Sequence, residues 1–152
     1  MNALLTPFQA GILKLNHRVV LAPMSRYRCT SQMAPSSMTV EYYAQRSSLG
    51  GLLITEATHI SPEGTPIWNI YPAIRDHGGE APGIWTDEQT ASYRQVVDAV
   101  HARGAYISCQ LQHCGRVAQD DIKDHPLVKN SDLPIGPVSA SEIPINSTAE
   151  EG

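Results

Sequence analysis

Basic clusters, long apolar runs and paired cysteines are all missing from this chain of 152 residues. Its 11 Lys and Arg residues are scattered, and against 15 Asp and Glu they leave a formal charge of −4. That leaves no electrostatic footprint for nucleic acid. No window approaches the roughly 18 uninterrupted apolar residues of a membrane span. The start, Met1-Asn2-Ala3-Leu4-Leu5-Thr6-Pro7, lacks the charged leader and apolar core of a signal peptide. Cys29, Cys109 and Cys114 are too few and too irregularly spaced for a disulfide framework, and an odd count fits a reducing compartment. The expected location is cytoplasmic. Neither a GxGxxG nor a Walker pattern occurs, which removes the usual sequence signs of a phosphate cradle. The length fits one domain, 1–152, large enough to bury a core, and nothing in the composition bears on oligomeric state.

Two apolar runs end abruptly in polar side chains: Val19-Val20-Leu21-Ala22-Pro23-Met24-Ser25-Arg26, and the strand that closes in Gln110-Leu111-Gln112-His113-Cys114-Gly115-Arg116. A run without alternation marks a strand buried on both faces, as in parallel sheets clad with helices. Polar groups at the carboxyl ends of such strands are where α/β folds and barrels place ligands. Leu52-Leu53-Ile54-Thr55, ending at Glu56, is a third run of the same kind.

Helical signals separate these strands. Thr39 is the expected cap of a short helix over about 39–48, with Gly50-Gly51 as its stop. Thr86-Asp87-Glu88-Gln89 has the form of a capping box, with acidic residues in the first turn. Tyr93, Val96, Val97 and Val100 then follow the i, i+3, i+4, i+7 spacing of a buried stripe, and Gly104 ends the helix. Ala105 to Leu111 makes the third strand. The order β-α-β-α-β, with connections long enough for right-handed crossovers, fits a doubly wound sheet or a (β/α)₈ barrel. Ahead of it, Pro7, Gly11 and Asn16 punctuate a small hairpin over about 4–18 that plugs one end of the fold. Residues 117–152 are rich in Pro, Ser, Asp and Asn and are expected to form an irregular tail. Three strands leave open sheet edges, so the fold reads as unfinished.

Three positions meet at strand ends: Ser25, Glu56 with the backbone of Ala57, and Gln110. A hydroxyl, a backbone N–H and a carboxamide suit a polar heterocycle with donors and acceptors around its rim. Each, taken alone, is as well explained as a strand-end group bonding local backbone. Cys109, His113 and Cys114 lack metal-ligand spacing, so no metal site is expected. His59, His77 and His125 are expected as solvated loop histidines, Tyr42 and Tyr43 as helix packing, and Asn146-Ser147-Thr148 as an incidental glycosylation match.

Four segments together resemble the Old Yellow Enzyme family of FMN-containing, NAD(P)H-dependent ene-reductases, which includes the 12-oxophytodienoate reductases. They are Leu21-Ala22-Pro23-Met24-Ser25-Arg26, Gly50-Gly51-Leu52-Leu53-Ile54-Thr55-Glu56-Ala57-Thr58, Pro82-Gly83-Ile84-Trp85-Thr86-Asp87-Glu88-Gln89 and Gln110-Leu111-Gln112-His113-Cys114-Gly115-Arg116. The resemblance implies the N-terminal portion of a (β/α)₈ TIM barrel with a hairpin at its base. It implies that Pro23, Met24 and Ser25 line the flavin ring, that Ala57 presents its N–H to the same edge, and that Gln110 bonds the pyrimidine part. FMN is the implied cofactor, NADPH the hydride donor and an α,β-unsaturated carbonyl the small-molecule substrate.

Departures from the pattern are specific. Ser25 stands where the family usually has threonine, and Gln112 where tryptophan commonly follows Gln-Leu. Residues 66–81 make a longer link than usual. A (β/α)₈ barrel needs roughly 250 residues. In the family the substrate-binding His/Asn or His/His pair, the proton-donating tyrosine and the groups that grip the FMN phosphate lie beyond residue 152, so no catalytic residue is named. A truncated, non-catalytic remnant or interaction fragment is the alternative reading.

Overall fold

The computed structural model describes residues 2–65 and 79–118, together with Leu127, Lys129, Ser139 and Ala140. After a 3₁₀ turn at Ala3–Leu5, strands β1 (Phe8–Ala10) and β2 (Leu13–Leu15) form an antiparallel hairpin. Gly11 takes the turn position with φ 58°, a backbone conformation that costs glycine nothing. The hairpin is tied to the start of the second barrel-type strand. Asn16 N–H donates to the Gly50 carbonyl at 3.0 Å, Asn16 Nδ2 to Leu49 O at 3.2 Å, and His17 Nε2 shares a 2.8 Å bond with Ser48 Oγ. Within the expected 4–18 segment the hairpin itself spans Phe8 to Leu15.

β3 (Val20–Leu21), β4 (Leu52–Ile54) and β6 (Tyr106–Ser108) form a parallel sheet in the order β3-β4-β6. Between them run α1 (Ser37–Gln45) and α2 (Asp87–His101). Register places Leu21, Leu53 and Ile107 side by side, and partners in a parallel ladder share a face. Leu53 is buried there against Tyr43 of α1, Val96 and Val100 of α2, and Ala105, with Leu21 and Ile107 packed alongside. The opposite face carries Val20, Leu52 and Tyr106 in one row and Ile54 and Ser108 in the next. That face stays partly open, with Val20 38% exposed.

The capping box of α2 forms as the sequence predicts. Thr86 Oγ1 accepts from Gln89 N–H at 3.2 Å, and Gln89 Oε1 accepts from Thr86 N–H at 3.1 Å. Tyr93, Val96 and Val100 are buried, and Gly104 at φ 70° ends the turn. The Gly104 carbonyl then accepts from Gly50 N–H at 2.8 Å, which ties the helix exit to the base of β4.

Three boundaries differ from expectation. Helix α1 is capped at Ser36, whose carbonyl accepts from Thr39 and Val40 N–H, so Thr39 is a buried residue within the helix. It ends at Gln45, before Gly50-Gly51, because Arg46 Nη1 and Ser47 Oγ take the terminal carbonyls of Tyr42 and Tyr43. The third strand is broken: β6 stops at Ser108, and β7 (Leu111–Gln112) pairs in parallel with a further short strand, β5 (Thr58–His59). The break is made by Thr55, whose Oγ1 accepts from Gln110 N–H at 3.0 Å. The Gln110 carbonyl then accepts from Thr58 N–H at 2.8 Å, transferring the ladder to the new pair. The 66–81 link lies largely, and His77, His125, the tail beyond 118 and Asn146-Ser147-Thr148 lie almost wholly, outside the described residues.

Candidate functional site

The carboxyl ends of β3, β4 and β6 release the chain toward one side of the sheet. Ser25 and Ala57 line the same cleft there, with Tyr27, Glu56, His59 and Gln112, around a space of about 110 Å³. Pro23 and Met24 are exposed beside it, Met24 by 46%. Gln110 does not line this cleft. Its main chain is fixed by Thr55 and Thr58 as above, while its side chain is exposed on the neighbouring strand end. The structure therefore brings Ser25 and Ala57 onto one cleft, while Gln110 adjoins it through its main-chain bond to Thr58.

Residue 56 is the most heavily constrained point. Glu56 is 2% exposed. Its Oε2 accepts from the main-chain N–H of Arg26 at 2.6 Å and of Tyr27 at 3.2 Å. Its own N–H donates to the Tyr43 hydroxyl at 2.8 Å. Its carbonyl accepts from the hydroxyls of Thr55 at 2.9 Å and Thr58 at 3.0 Å. Thr58 Oγ1 also shares a 2.6 Å bond with the Tyr93 hydroxyl. Burial pushes the Glu56 carboxyl above its usual range, opposed by the two amide donors and the Arg26 charge. Burial likewise drives the Tyr43 and Tyr93 phenols well above theirs, so both act as neutral hydrogen-bonding groups.

His59 corrects the sequence expectation of a solvated loop histidine: it is 2% exposed, in β5. It is carried inward because its main chain continues the sheet, with N–H donating to Pro82 O at 2.9 Å and carbonyl accepting from Ile84 N–H at 2.9 Å. Burial lowers its pKa to about 4, a bond to the Gly64 backbone opposes this, and nearby His113 adds to it. Among the described residues no three His, Cys, Asp or Glu side chains gather as a metal site, and no helix is long and apolar enough to cross a membrane. The three cysteines are free thiols.

A flavin ring needs neutral donors at its carbonyl and N5 edge, and the cleft has them. The Ala57 N–H follows the fixed Glu56 and has no acceptor among the described residues, and the Ser25 hydroxyl is also without a partner there. These groups fit the ring. The sequence names Ser25 and Ala57 as candidates but not the roles of Glu56, Tyr43, Thr58 and Tyr93, because contacts such as Tyr43 to Glu56, 13 residues apart, and Thr58 to Tyr93, 35 apart, leave no local pattern.

Parallel strands with helices on one face and a cleft at their carboxyl ends define part of an α/β fold of the barrel type. The chain belongs to the NADH:flavin oxidoreductase / NADH oxidase family, whose model matches residues 3–151. The cofactors of this family are FMN and a nicotinamide coenzyme. A curated relative, putative 12-oxophytodienoate reductase 12 of Oryza sativa subsp. japonica, is 39% identical over 147 residues, covering 97% of this chain and 31% of that protein. Among solved structures, morphinone reductase matches with TM-score 0.67 and 42% identity over 82% of this chain and 29% of its own. The Old Yellow Enzyme homologue from Zymomonas mobilis matches with TM-score 0.68 and 36% identity, over 80% and 31%. This chain thus spans about a third of the length of the relatives it matches. Its sheet and helices are the first units of a (β/α)₈ barrel, and no closed barrel forms among the described residues.

Proposed function

We propose that this chain supplies one wall of the flavin-ring site of an FMN-dependent ene-reductase, which reduces the C=C bond of an α,β-unsaturated carbonyl at the expense of NADPH. The observation that carries the reading is the pairing of the unpartnered Ala57 N–H with the Ser25 hydroxyl on one cleft at the ends of parallel strands. Bound FMN supplies hydride transfer from the nicotinamide to the alkene β-carbon. Ser25 and Ala57 donate to the flavin edge beside N5, where a donor stabilises the negative charge of the reduced ring. Pro23 and Met24 pack against the ring, and the Gln110 carboxamide bonds its pyrimidine part. Gln112, where tryptophan is common in the family, opens the substrate side. The setting is cytoplasmic.

The uncovered inner face of the sheet, with Val20 38% exposed, favours a second reading: a remnant that does not catalyse. No residue here is assigned to polarise the substrate carbonyl, donate the proton or grip the phosphate. Both are settled by titrating the purified 152-residue protein with FMN while recording its visible spectrum, then adding NADPH and an enone. The ring-wall reading expects shifted flavin bands that weaken in Ser25→Ala, and no enone-dependent oxidation of NADPH by these residues alone. An unperturbed flavin spectrum at millimolar FMN favours the remnant.

A further inference from the structure

We propose that Glu56 is a positioning residue: its buried carboxylate sets the distance between the Ser25 hydroxyl and the Ala57 N–H, and so builds the flavin-facing edge. The proposal rests on the ring-wall reading for its chemical meaning, and on geometry for the clamp itself. Ser25 lies directly before Arg26, whose N–H is held by Glu56 Oε2 at 2.6 Å, and Ala57 directly follows Glu56. One residue therefore links both donors: its side chain holds the Ser25 loop, 30 residues away, and its main chain leads into Ala57.

The sheet does not do this work. β3 ends at Leu21, four residues before Ser25, so its ladder with β4 does not extend to Ser25. Tyr27 sits at φ 51°, a left-handed conformation unusual for a bulky residue, and its N–H is the second one held by Glu56, at 3.2 Å. The Arg26 guanidinium is engaged elsewhere, 4.8 Å over the Tyr42 ring of α1. The backbone of residue 56 is itself immobilised by the hydroxyls of Tyr43, Thr55 and Thr58. A carboxyl buried this deeply is costly unless its hydrogen bonds replace water. Here one oxygen holds two amides, while Oε1 is buried with no partner among the described residues, on a residue that lines the cleft.

The test uses three variants of the 152-residue protein. Glu56→Met removes the acceptor at nearly constant length. Glu56→Asp keeps the charge but withdraws it by one methylene, and serves where the Met variant folds poorly. Glu56→Gln keeps an acceptor oxygen. Amide hydrogen exchange at Arg26 and Tyr27 reads the clamp without any flavin, and quenching of FMN fluorescence reads the edge. In Met and Asp both amides are expected to exchange at least about tenfold faster and FMN to bind at least about tenfold more weakly, the effect of losing the amide hydrogen bonds to Oε2. Gln is expected to restore both to within about threefold. Unchanged exchange in Met and Asp overturns the clamp. Faster exchange with unaltered FMN binding overturns instead the flavin reading on which its purpose rests.

Discussion

Acidification from pH 7 to pH 4 is expected to weaken the fold by about 3 kcal/mol through His59 alone. The imidazole is 2% exposed, its Nδ1 has no partner among the described residues, and its pKa is lowered from 6.5 to about 4 by burial. Above pH 6.5 the ring is neutral folded and unfolded, and it contributes nothing to the pH dependence. Between 6.5 and about 4 the unfolded chain binds a proton that the folded one refuses, so stability falls as pH falls. Below about 4 both states are protonated and the loss is complete. At about 1.4 kcal/mol per pH unit, that window gives the figure of about 3 kcal/mol. Glu56 acts in the opposite sense. Its folded pKa is raised above 4.5, so its contribution is fully present below 4.5 and lost as pH rises through the folded value. The two slopes oppose each other just above 4.5, and a variant must isolate the imidazole. His59→Gln keeps a donor toward the Gly64 carbonyl and does not titrate. Urea unfolding at pH 7 and pH 4 should show the native protein losing about 3 kcal/mol more than His59→Gln. Parallel losses, or a His59 ring titrating near 6.5 by NMR, would refute the reasoning.

Thr86→Ala opens the capping box of α2 and should cost about 1 kcal/mol, read as a lower urea midpoint with an unchanged slope. Leu53→Ala removes the centre of the core, 1% exposed, and should cost about 3 kcal/mol in thermal or chemical unfolding. At Gly50, φ 68°, a Cβ would stand 2.5 Å from Asn16 Cγ, so Gly50→Ala should loosen the β1–β2 hairpin and speed proteolysis between β1 and β2. The 152-residue protein should self-associate through its open sheet edges, and Val20→Lys, which places a charge on edge strand β3, should reduce the sedimenting mass at equal concentration.

Most of the architecture was legible because periodicity survives without tertiary context. The apolar runs at Val19, Leu52 and Ala105 gave three adjacent parallel strands, and Thr86 with Gln89 gave the start of α2. The errors fall where a side chain competes with the backbone. Thr39 has the chemistry of a cap, yet Ser36 precedes it and its carbonyl accepts the first helical bonds. Ser47 and Arg46 close α1 with side-chain bonds that no glycine signal announces. Thr55 diverts Gln110 and splits a strand that hydropathy alone would continue to Leu111. His59 shows no burial signal in its own sequence, and it is the β5–β7 pairing together with the bonds to Pro82 and Ile84 that carries it inside.

The site follows from that same competition. The strand ends were visible in the sequence, but which donor remains available there depends on how every neighbouring acceptor is used. The carbonyl of Glu56 takes the hydroxyls of Thr55 and Thr58, and its Oε2 takes two amides of the Ser25 loop. The Gln110 carbonyl takes Thr58 N–H, and the Tyr43 hydroxyl takes Glu56 N–H. With those acceptors engaged, the next amide along, Ala57, is left without one among the described residues. A half-buried N–H that the protein leaves unpaired is rare, because it forfeits a hydrogen bond. Held by its neighbours and adjoining a cleft, it is the donor that the proposed reading assigns to the carbonyl edge of a flavin ring, an acceptor that needs no charge from the protein.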